Sequence, residues 1–149
     1  MFCDFLYFTG CRLSEALAIR TYDFDFAERR TLISSLKKRG RVSVRRIPTP
    51  SNLLGYASDE CHKRGRERLW NFSRTSGWRI VKRVMAQANI DGLHASPKGL
   101  RHGFGVRLSM AKIPITDIKR WMGHSDLETT AIYLDVKGEE EFELMARTW

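Results

Sequence analysis

The sequence predicts a mainly α fold with a small antiparallel β-sheet, an α+β domain. Three observations lead there. Apolar residues recur at helical spacing over most of the chain, two β-branched runs flank a compact basic turn, and prolines and glycines punctuate the segment ends. A length of 149 residues and a hydrophobic content of 42% suit a single domain around one core.

The elements follow in order. Met1 to Phe8 reads as an apolar helix broken at Gly10, and its apolar surface is expected to need a cover that this chain does not supply. Leu13, Ala16, Leu17 and Ile19 give the stripe of a second helix, which places Arg12 at its entrance. Asp23-Phe24-Asp25-Phe26 alternates like a short edge strand. Thr31-Leu32-Ile33 and Val42-Ser43-Val44 form a hairpin around Lys37-Lys38-Arg39-Gly40-Arg41, closed by Pro48 and Pro50. Asn52 to Lys63 is helical despite Gly55, and Gly65 to Ser73 is a connector. Thr75 or Ser76 caps a helix whose Trp78, Val81, Met85 and Ala88 face the core, and Asp91-Gly92 stops it. Pro97 opens a helix through Arg101 toward Met110. Pro114 opens another, with Ile115, Ile118 and Met122 inward and Gly123 at its end. Asp126 caps a helix over Leu127 to Leu134, and a last one after Gly138 aligns Phe142, Met145 and Trp149.

The net charge of +9 points to a polyanionic partner, nucleic acid first, with a ribosomal or membrane-surface role sharing the same balance. The charge is uneven. Eight basic residues face one acid from Glu28 to Arg46, and eight more face Glu67 from Cys61 to Arg83. Beyond Asp126 the chain turns acidic, so a docking side with two basic faces and a far side are expected. Cys3, Cys11 and Cys61 are odd in number and lack metal-binding spacing, which suits reducing cytoplasm. No apolar run approaches membrane-spanning length, and no secretory leader is recognisable.

Arg12, Arg101, His124 and Tyr133 carry the chemistry. Two guanidiniums can each grip a phosphate through paired N–H donors, an imidazole adds a donor, and a phenol can serve as nucleophile. Phosphoryl transfer needs positive charge on the non-bridging oxygens. No carboxylate cluster suggests a metal to supply it, since Asp23 and Asp25 stand alone, so the arginines are expected to do so without metal or cofactor.

Thr9-Gly10-Cys11-Arg12-Leu13-Ser14-Glu15, Gly99-Leu100-Arg101-His102, and Gly123-His124 followed by Tyr133 together resemble the catalytic domain of the tyrosine recombinases, the phage-integrase-like family. The resemblance runs from about Phe5 to about Glu141; His124 lies twenty-three residues after Arg101 and nine before Tyr133. It implies that Arg12 and Arg101 clamp the scissile phosphate of double-stranded DNA, that His124 donates to it, and that Glu15 caps or orients. Tyr133 would attack phosphorus, forming a 3′-phosphotyrosyl bond and freeing a 5′-hydroxyl. Lys37, ahead of Lys38, would protonate the leaving oxygen. The departure is Lys98, which stands where the family commonly has histidine; with an ordinary pKa of about 10.4 it is a poor base and a good phosphate donor. The group that deprotonates Tyr133 is thereby left open, with His102 read as structural.

Site-specific recombination or integration by cleavage and rejoining is the implied activity. The implied assembly is a tetramer of protomers on paired DNA sites, with the acidic tail contacting a neighbouring protomer. The family's N-terminal clamping domain and the first part of the catalytic domain are expected to be absent from this sequence, residues 1–149 being one truncated catalytic domain. A DNA-binding remnant without activity and a nicking-closing topoisomerase are the rival readings.

Overall fold

The computed structural model of the protein describes residues 1–36, 42–64, 67–124 and 128–132. Among them lie seven helices and one three-stranded antiparallel sheet in the order β1-β2-β3. The predicted fold class is the one observed.

Helix α1 (Phe2–Thr9) stops at Gly10, whose φ of 58° lies in the left-handed region. A side chain there would also run into the ring of Phe104, so both backbone and space call for glycine. The expectation that α1 lacks its cover is corrected. Phe2 meets Trp70 and Phe72 edge-on at 5.2 and 4.9 Å, and Phe5 packs against Phe24 and Trp70. The cover comes from residues far along the chain, which local periodicity cannot reveal. Burying each such aromatic side chain contributes about 1.5–3 kcal/mol.

Helix α2 (Leu13–Ala18) leads through a 3-10 turn at Thr21–Asp23 to strands β1 (Phe24–Asp25), β2 (Arg30–Leu36) and β3 (Val42–Pro48). Thr31 pairs with Ile47 and Ile33 with Arg45, so these residues share the inner face. Val42 and Val44 point outward on the same strand. Helix α3 (Ser51–Arg64) follows, and its Leu53, Leu54 and Ala57 join the core.

Helix α4 (Arg74–Gln87) departs from expectation at both ends and along its face. Its cap is Ser73, not Thr75 or Ser76, with Ser73 Oγ accepting from the Ser76 N–H at 3.1 Å. The inward stripe is Gly77, Val81 and Met85, while Trp78 and Ala88 lie outside. Gly77 is the point of closest approach: a Cβ there would come within 3.3 Å of both Leu13 and Phe72, so the helix turns glycine inward and tryptophan outward. The helix also ends before Asp91-Gly92. Asn89 adopts φ 56°, its N–H donates to Ala86 O at 3.0 Å, and Ile90 N–H donates to Met85 O at 2.9 Å, a Schellman closure.

Helix α5 (Pro97–Met110) packs on α1, and α6 (Ile115–Met122) packs on α5 and β3. Proline opens α5 behind the Ser96 cap and glycine closes α6, as the sequence predicts. Phe104, Ile118 and Met122 form a second small core under this pair, with Ile115 half-buried. Helix α7 (Glu128–Ala131) is the last described element. The turn at 37–41, the cap at Asp126 and everything from Tyr133 onward lie outside the described residues. No helix of the described residues is long and apolar enough to cross a membrane.

Candidate functional site

Arg12 is the first residue of the site because it is the N-cap of α2, extended at φ −72° and ψ 152°. A guanidinium cannot accept a hydrogen bond, so the usual cap is reversed. The Arg12 N–H donates to Glu15 Oε2 at 2.7 Å, and Nη1 donates to Glu15 Oε1 at 2.8 Å. Glu15 thus has the capping and orienting role expected of it.

Glu15 has a second arginine, one of the eight basic residues from Glu28 to Arg46 that were expected on a docking face. Arg45 is buried instead, donating from Nη2 to Glu15 Oε2 at 2.5 Å and from Nη1 to Ser35 Oγ at 2.6 Å. Ser35 Oγ donates in turn to Glu15 Oε1 at 2.5 Å. Burial pushes the Glu15 carboxyl upward, but the bond and charge of Arg45, with Ser35 and the Arg12 amide, bring it down to about 2. The signal for Arg45 was strand alternation. Ile47 must face inward, so the residue two before it does too, and an inward arginine requires a buried counter-charge.

Arg101 lies on the second turn of α5 and reaches across the fold. Nη1 donates to Gly10 O and Nη2 to Met122 O, both at 2.7 Å. One guanidinium therefore joins the end of α1 to the end of α6 and is held in a fixed plane. Gly123, φ 66°, then turns the chain so that His124 follows. His124 Nδ1 lies 2.9 Å from the hydroxyl of Thr130, a fully buried residue on α7. Burial, then the cations Arg101, Arg12 and Arg45, pull the imidazole down to about 4, so it is neutral at neutral pH.

Arg12, Arg74, Lys98 and Arg101 line one open cleft of about 850 Å³. The N-terminal ends of α2, α4 and α5 all open onto it, through Arg12 to Ser14, Arg74 and Thr75, and Ser96 to Lys98. Neither α4 nor α5 has an acid in its first turn. Four cationic side chains and the positive ends of helix dipoles make this a site for an anion. Trp78, which fails as a core residue, forms part of the same wall. His124 borders a neighbouring cleft of about 620 Å³ with Arg46 and Lys119, between β3 and α6. His102 is exposed and stacks on His94 at 6.2 Å. Three of the six expected site residues, Arg12, Lys98 and Arg101, thus share one cleft, and His124, at the other cleft, feels the charges of Arg101 and Arg12. Lys37 and Tyr133 lie outside the described residues.

A model of the phage integrase family matches residues 1–140. The chain belongs to that family. Among relatives of this integrase-family chain is tyrosine recombinase XerD of Neisseria meningitidis serogroup A, 32% identical over 147 residues that cover 89% of this chain and 48% of the relative. The crystal structure of XerA recombinase superposes with a TM-score of 0.76 at 20% identity, covering 96% of this chain and 55% of the other. XerH site-specific recombinase bound to palindromic difH substrate gives 0.77 at 18% identity, covering 97% and 44%. The integrase-family chain therefore has the recombinase fold, and it spans about half the length of the curated relatives it matches.

Proposed function

We propose that this chain is a single catalytic domain that cleaves and rejoins double-stranded DNA through a 3′-phosphotyrosyl intermediate, as a site-specific recombinase or integrase. The observation that carries the reading is the cleft in which Arg12 and Arg101 meet Lys98 and Arg74 at three helix N-termini. The two arginines neutralise the non-bridging oxygens as charge builds in the transition state, with Lys98 as a further donor. His124 donates Nε2–H to the same phosphate, its neutral ring set in that tautomer when the Thr130 hydroxyl donates to Nδ1. The Tyr133 phenolate, once deprotonated, attacks phosphorus through Oη, the bond to the 5′-oxygen breaks, and Lys37 gives that oxygen its proton. The new ester conserves the energy of the broken one, so a 5′-hydroxyl from another strand reverses the step without ATP.

Recombination of two duplexes needs several protomers on paired sites. The palindromic substrate of XerH supports a two-fold arrangement of this kind. Free thiols at Cys3, Cys11 and Cys61 support a reducing cytoplasm as the place of work.

A nicked duplex that loses its short 5′-hydroxyl fragment on cleavage traps the intermediate. The wild-type chain is expected to give a protein–DNA adduct that resists denaturation, and Tyr133→Phe none. Salt-sensitive binding with no adduct would instead leave a DNA-binding protein without strand-transfer activity.

A further inference from the structure

We propose that Arg45 is a positioning residue that cancels the Glu15 carboxylate and so leaves the charge of Arg12 available to the scissile phosphate. The inference rests on the strand-transfer reading above and deepens it. Arg12 and Glu15 form an ion pair at 2.8 Å, which by itself has no net charge. A catalytic guanidinium tied to its own carboxylate is a weakened clamp, because the carboxylate competes with the phosphate for the same donors. Arg45 changes the sum. It bonds both Glu15 oxygens, Nη2 to Oε2 at 2.5 Å and Nη1 to Oε1 at 3.3 Å, and the three side chains together carry one positive charge.

Exposure separates the roles of the two arginines. The Arg12 side chain is 49% exposed and borders the cleft shared with Lys98 and Arg101, whereas Arg45 is 5% exposed and stands outside that cleft, at the edge of the one beside His124. Arg45 acts through Glu15. Two further contacts tie this neutralisation to the rest of the site. Ser35, bonded to both Glu15 and Arg45, belongs to strand β2, which ends at Leu36, one residue before Lys37 in sequence. Gly123, immediately before His124, lies against the Arg45 side chain so closely that a Cβ would stand 3.0 Å from Nη1. One buried guanidinium thereby offsets the Glu15 charge beside Arg12 and packs against the turn that presents His124.

The test uses Arg45→Met, Glu15→Gln and the double variant in the full chain. Affinity for a short duplex is read by fluorescence anisotropy at fixed salt, adduct rate on the nicked substrate, and folding by thermal melt. Arg45→Met is expected to lose about tenfold or more in affinity and adduct rate, since Glu15 then draws Arg12 to itself. Adding Glu15→Gln restores the single positive charge. The double variant should return to within about threefold of wild type, with all variants compared at a temperature where the melts show them folded, so that a change in stability alone moves neither affinity nor adduct rate. Should Arg45→Met not fold, the double variant, which buries no unpaired charge, decides alone: about threefold supports the proposal and a loss of about tenfold overturns it. Wild-type behaviour from Arg45→Met, or a double variant no better than the single, also overturns it. A wild-type chain that forms no adduct refutes strand transfer, while the affinity ranking still judges Arg45.

Discussion

Replacing Arg101 by lysine keeps the charge and removes the fork. In the structure the two terminal nitrogens hold Gly10 O and Met122 O at 2.7 Å each, joining helix ends 91 and 21 residues away. An ammonium on a flexible stem can serve one of these carbonyls at a time. A hydrogen bond from a charged donor contributes about 1.5–3 kcal/mol, and the partial exposure of Arg101 argues for the lower part of that range, about 2 kcal/mol. For a domain of this size, about 2–4 °C is lost per kcal/mol, so Arg101→Lys should melt about 4–8 °C below wild type. Affinity for DNA at fixed salt should change little, because the charge remains. The adduct rate, measured where both proteins are folded, should fall by about a hundredfold, because an oriented pair of donors has become a mobile point charge. A melt within about 1 °C of wild type, with an unchanged adduct rate, would refute the idea that these carbonyls hold the guanidinium in place.

Two further predictions follow from the same geometry. His124 should titrate by NMR with a midpoint of about 4 in the free protein and shift upward when a short duplex occupies the cleft, since the phosphate offsets the field of Arg101, Arg12 and Arg45; a free-protein midpoint at or above 6.5 would remove the basis for a neutral imidazole. The fold favours the uncharged ring, so its contribution to stability is present above about 6.5 and is lost as pH falls through about 4. Gly99→Ala should destabilise by about 1–3 kcal/mol or more in a denaturant melt and slow adduct formation, because a Cβ at this position in the first turn of α5 would overlap the carbonyl of His94; equal stability would show that the 91–96 connector gives way freely.

Much was readable without coordinates wherever a local backbone rule decides the outcome. Gly10 and Gly123 end their helices in the left-handed region, and Pro97 starts α5 where the sequence says it should. Arg12, Lys98 and Arg101 could be nominated from short motifs, and all three line one cleft. Helix α4 was misread on its face, because Trp78 has the hydrophobicity of a core residue and Gly77 does not, yet Gly77 is where Leu13 and Phe72 come closest to the helix.

From its sequence alone this protein's element types, its net positive charge and the residue types proposed for phosphate chemistry were legible, because each depends on neighbours within a few positions or on a sum over the chain. Tertiary structure alone decided that Arg45 is an internal counter-ion thirty residues from Glu15, that residues near position 70 cover the first helix, and that three helix N-termini meet at one cleft. Burial and charge pairing are properties of what lies across a space, and only the folded chain brings those partners to opposite sides of it.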